Sequence, residues 1–132
     1  SMRPHDWSRF LLYGRHPIAV AQVSPELAEH LGASKREVLL GREYALKIVA
    51  KHGLASEHFP AIFDSIDFGH AIADRDRHLT FLHRHEEWGV WFQASVKRCT
   101  EKRLIYLTTF HRLRESEVSR KLRKHPVVRA GR

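Results

Sequence analysis

The stretch Val90-Trp91-Phe92-Gln93-Ala94-Ser95-Val96-Lys97 alternates with a period of two, the pattern of a β-strand with two unlike faces. Val90, Phe92, Ala94 and Val96 share one side and are expected to pack on a core; Trp91, Gln93, Ser95 and Lys97 share the other. The same alternation turns Leu79 and Phe81 inward, leaving Thr80, Leu82 and Arg84 outward, and turns Ile105 and Leu107 inward, leaving Tyr106 and Thr108 outward. With His70 to Asp74 this predicts four successive strands: His70 to Asp74, Leu79 to His85, Val90 to Arg98 and Leu104 to Phe110. Cys99 to Arg103 is short enough for a hairpin connection. One open sheet face then gathers Arg84, Trp91, Gln93, Ser95, Lys97, Tyr106 and Thr108. Cations suit phosphate and aromatic rings suit stacked bases, so that face is a candidate surface for RNA.

Upstream of these strands the period changes. Ile18 to Val23 is a short apolar run, expected as a strand, and Ser24-Pro25 opens a helix that Gly32 stops. Ser34 to Glu37 has capping-box spacing, although Val38-Leu39-Leu40 before Gly41 fits a short strand equally well. Tyr44 to His52 reads as a helix, and Ser56 as the cap of another that reaches Phe68. Glu115 to Lys124 reads as a polar C-terminal helix with Val118 and Leu122 as its apolar pair, ended by Pro126. Helices followed by an antiparallel sheet make an α+β domain: N-terminal helices packed on four antiparallel strands, with a C-terminal helix. Residues 1–17 are expected as an arm, 18–124 as the domain and 125–132 as a frayed tail.

The chain of 132 residues suits one domain. It has no apolar run near the roughly 20 residues of a membrane span, and its start lacks the apolar core of a signal peptide. A single cysteine, Cys99, excludes an internal disulfide framework and cysteine-paired zinc folds, and fits a reducing, cytoplasmic setting. Twenty-three Lys and Arg against 15 acids give a net charge of +8, a surface that attracts polyanions, nucleic acid first.

The chemistry concentrates at Lys47-Ile48-Val49-Ala50-Lys51-His52-Gly53. It reads as a helix end stopped by Gly53, where free carbonyls favour cations. Two lysines for phosphate and an imidazole that titrates near neutrality stand together there. A capped helix end with a solvated lysine stripe accounts for the same residues equally well.

Taken in order, Val38-Leu39-Leu40, Leu46-Lys47, Lys51-His52-Gly53, a further helix, and strands ending in Leu107-Thr108-Thr109-Phe110 resemble the phage-associated BECR nucleases. This is the barnase, EndoU, colicin and RelE-type group, with members in phage head-morphogenesis and polymorphic toxin proteins. The resemblance spans residues 18–124. It implies two helices followed by a four-stranded antiparallel sheet, and RNA cleavage without metal or other cofactor. It implies an active site holding Lys47, Lys51, His52 and Thr108. RNA, tRNA included, is the implied substrate, and an immunity or antitoxin protein is an implied partner. The expected place of action is the cytoplasm, of the producing cell or of a target cell, with no membrane partner.

RNA can be cut by its own 2′-hydroxyl attacking the adjacent phosphate, which needs a base, an acid and cations for the phosphorane. His52 is the candidate acid or base, and His111, just past the last expected strand, the second histidine. Lys51, Lys97 and Arg84 would hold phosphate charge, Lys47, Trp91 and Tyr106 would bind substrate, and Thr108 would donate a hydrogen bond to a phosphoryl oxygen. Two other classes remain: a non-catalytic nucleic-acid-binding or phage-structural module on the same fold, and a metal site built on His83 and His85, which point the same way in a strand.

Overall fold

The computed structural model describes residues 3–132. In chain order the elements are α1 (Pro4–Tyr13), β1 (Ile18–Gln22), α2 (Pro25–Leu31), β2 (Glu37–Leu40), α3 (Arg42–His52), a 3-10 turn (Ser56–His58), α4 (Pro60–Phe68), β3 (His70–Ile72), β4 (His78–His85), β5 (Val90–Arg98), β6 (Ile105–Leu113), α5 (Glu115–Lys124) and β7 (Val127–Arg129). Local chemistry sets several boundaries. The Ser24 hydroxyl accepts from the Leu27 amide at 3.3 Å, and Gly32, at φ 70°, ends α2 in the left-handed region. Gly53, at φ 62°, ends α3 in the same way.

The class is α+β, but the sheet is mixed and has seven strands in the order β1-β2-β6-β5-β4-β3-β7, not four. The four expected strands form its antiparallel centre, β6-β5-β4-β3. β2 joins β6 in parallel, with Val38 opposite Ile105 and Leu39 opposite Tyr106, and β1 pairs with β2. β7, in the segment expected to fray, pairs with β3. Residues 4–13, expected as part of an arm, form a helix that buries Trp7 and Phe10. β1 and β3 fall where strands are expected and β2 where a strand is one of two readings, but β7, three residues just after Pro126, carries too little periodicity to register.

The inward set behaves as the alternation predicts. Leu79, Phe81, Phe92, Ala94, Val96, Ile105 and Leu107 lie in one core with Val38, Leu40, Ala45, Ile48 and Ile62. The outward set does not. Val118 and Leu122 of α5 pack with Ile72, Leu82, Trp91 and Leu113 on the second sheet face, and Thr80, Gln93 and Ser95 are buried there. The face expected to be open is therefore largely roofed, because α5 turns back over it straight after β6.

One irregularity in β6 matters for the site. Val96 pairs with Leu107 but Ser95 pairs with Thr109, so Thr108 is an extra residue, a β-bulge. Leu107 and Phe110, three residues apart, both reach the core. Downstream of the bulge His111 pairs with Gln93 and Leu113 with Trp91, on the second face.

Trp7 meets Phe59 edge-to-face with ring centroids 4.6 Å apart. Trp7→Ala should lower unfolding free energy by about 3–5 kcal/mol in denaturant titration, where a loose arm would give a change near zero. Trp7→Phe should cost much less, because the indole N–H is buried without an acceptor among the described residues.

Candidate active site

Helix α3 follows β2 through Gly41 and packs against β6. Because β2 pairs with β6 only at Val38 and Leu39, α3 takes the place beside the rest of that strand. Between them lies a cleft of about 160 Å³ lined by Tyr44, Lys47, Ile48, Lys51, His52, Thr108 and Thr109. Ile48 is held in the core, which fixes the face that α3 turns to β6. Lys47, Lys51 and His52 thus stand on the same helix wall.

The His52 ring lies 4.9 Å from the His111 ring, centroid to centroid, with planes tilted by 33°. His111 Nδ1 is 2.9 Å from the Arg112 carbonyl oxygen; a carbonyl only accepts, so Nδ1 carries the proton and Nε2 is left available. Burial first, then the charges of His111 and Lys51, hold His52 below the ordinary histidine value. Lys51 is exposed and in no salt bridge among the described residues. Lys47 reaches Glu43 at 3.9 Å and lies 5.3 Å from the Tyr44 ring centre. Both partners are exposed, so that pair is weak.

The bulge is tied from behind. Thr108 Oγ1 donates to the Ser95 carbonyl at 3.2 Å. Ser95 Oγ in turn accepts from Gln93 Nε2 at 3.1 Å and lies 3.0 Å from Thr80 Oγ1, which donates to the Asp74 carboxylate at 2.9 Å. With Thr80 donating to Asp74, Ser95 must donate to Thr80, so the protons of the chain all point toward the carboxylate. Two members of this chain of hydrogen bonds are cross-strand neighbours of the site, Ser95 opposite Thr109 and Gln93 opposite His111.

The structure therefore brings together Lys47, Lys51, His52, Thr108 and His111, and leaves the other expected residues elsewhere. Arg84 lines a separate cavity of about 440 Å³ with His83, His85, Asp64, Glu86, Glu87 and others. Trp91 is packed under α5 and stacks on His70 at 6.4 Å. Lys97 pairs with Tyr106 across β5 and β6, and neither lines the cleft. Thr109 was missed. Its signal was the spacing of Leu107 and Phe110, which places two threonines where a regular strand allows one residue.

The rival pair, His83 and His85, lines that separate cavity together. His85 stacks on Trp88 at 4.0 Å, and burial holds His83 below its ordinary value. Among the described residues no group of three or more His, Cys, Asp or Glu side chains is arranged to hold a metal ion. No helix among them is long and apolar enough to cross a membrane. Comparison of the chain with protein-family models, curated proteins and solved structures gave no match in any of the three.

Followed by NMR, His52 should titrate below 6.5 in the wild type and move upward in His111→Gln, which removes one of the charges that lower it. The same depression lowers stability as the pH drops below 6.5, because there the unfolded chain takes up a proton at His52 more readily than the folded one.

Proposed function

We propose that the protein is a metal-independent endoribonuclease of the BECR kind, in which the 2′-hydroxyl attacks the adjacent phosphate. The observation that carries this reading is the pair of imidazoles 4.9 Å apart beside the exposed Lys51. Two rings so close resist double protonation, so the singly protonated pair holds one base and one acid at once. His52, held below its ordinary value, is the base that takes the 2′-hydroxyl proton. His111 is the acid for the leaving 5′-oxygen, through its Nε2. Lys51, with Lys47 behind it, neutralises the charge that grows on the phosphorane. A cleft of about 160 Å³ is of a size for one phosphate group. The Thr108 hydroxyl already donates to Ser95, so the hydrogen bond to a phosphoryl oxygen falls to Thr109, whose hydroxyl makes none among the described residues. The cleft lining has no carboxylate, which suits proton transfer by imidazole.

A second reading, a non-catalytic nucleic-acid-binding or phage-structural module, draws support from the spread of Arg84, Lys97 and Tyr106 outside the cleft. Single-turnover cleavage of labelled RNA decides between them. His52→Ala and His111→Ala should each slow cleavage about 10²–10⁴-fold. The pH profile of the wild type should be bell-shaped, with its acid limb below pH 6.5. Variants that cut as fast as the wild type would remove the enzyme reading.

A further inference from the structure

The two helices that sandwich the sheet carry opposite charge. On the core face α4 contributes Asp64 and Asp67 and no cation. On the second face α5 confines its acids, Glu115 and Glu117, to the first turn, and its remaining length holds Arg120, Lys121, Arg123 and Lys124. Its apolar pair, Val118 and Leu122, faces the sheet; Arg120, Arg123 and Lys124 are exposed, and none of these three is in a salt bridge among the described residues. The second of these acids is also engaged locally, since Glu117 pairs with Arg114 at 3.2 Å.

The register ties this helix to the cleft. Leu113, against which α5 packs, lies two residues beyond His111 on the same sheet face. From there α5 crosses the sheet toward β3, where Ala73 N donates to the Pro126 carbonyl just past the helix, so its basic half lies on the same sheet face as His111 but about 10–15 Å across the strands from it. We propose that the exposed basic face of α5 is the track for the RNA backbone flanking the scissile phosphate, resting on the ribonuclease reading for the direction in which that backbone leads. The basic stretch, Arg120 to Lys124, spans about 7 Å of helix, and its long side chains extend that reach to two or three phosphates beyond those nearest the cleft. The expected substrate is single-stranded RNA of several nucleotides, bound through phosphate without base readout at this surface.

The test uses the full chain carrying His52→Ala, so that bound RNA stays intact, with and without Arg120→Ala/Arg123→Ala/Lys124→Ala. Anisotropy of a labelled 12-nucleotide RNA is read between 50 and 200 mM KCl. Loss of three phosphate contacts should flatten the slope of log K against log salt by about 2, and weaken binding at least tenfold at 50 mM. A diribonucleotide, too short to reach α5, should be cut equally fast by the wild type and by the triple variant alone. Unchanged affinity and slope for the 12-mer would overturn the track. So would tighter binding to phosphatidylserine vesicles than to RNA, lost in the triple variant, since the surface would then be a membrane site. RNA binding that depends on α5 in a protein that cuts no RNA would uphold the track and overturn the catalytic reading alone.

Discussion

One extra residue in β6 decides what this protein can do. A regular ladder from Leu107 would send Thr109 and His111 into the core and leave Phe110 outside. The bulge at Thr108 reverses that: Phe110 stacks on Phe92 at 5.0 Å inside, while His111 comes out beside His52. The apolar gain from burying Phe110 and the avoided cost of burying an imidazole both favour the bulged register. The Thr108 bond to the Ser95 carbonyl closes the irregularity, and the buried chain from Gln93 to Asp74 holds Ser95 in place. Packing and chemistry are thus fixed by the same local event.

The second constraint is the short reach of β2. Had it continued along β6, the strand edge beside Thr108 and Thr109 would be occupied. It stops at Leu40, and α3 fills the space with Ile48 anchored in the core and its last turn ending at Gly53. The helix end concentrates Lys51 and His52 where its carbonyls favour cations, yet His52 is drawn the other way by burial and by two cationic neighbours. That opposition keeps one imidazole neutral near neutrality, which base catalysis requires.

Much of this was legible in the residues. Alternation along β4, β5 and β6 set the correct inward faces, and Glu115–Lys124 was read to its ends. The Lys47-to-Gly53 segment was recognisable as a basic helix end, and its contact with the last strand followed from neither residue pattern alone. What escaped has physical causes. The parallel pairing of β2 with β6 and the strand β7 rest on backbone groups that any sequence carries. The roofing of Gln93 and Ser95 depends on where α5 folds back, a tertiary matter. Strand parity was applied through Thr108 as though the ladder were regular, so Thr109 was overlooked; Lys97, Tyr106, Trp91 and Arg84 were grouped with the helix end by sheet face alone, and a shared face does not say which part of the sheet a helix abuts.

The claim that the His52–His111 pair supplies both proton transfers, with no metal, is tested most directly by the chemistry of the product ends. Purified protein incubated with total RNA in excess EDTA should yield fragments ending in 2′,3′-cyclic phosphate, together with free 5′-hydroxyls. Intact RNA, or fragments with 3′-hydroxyl and 5′-phosphate ends that form only when divalent metal is restored, would contradict it.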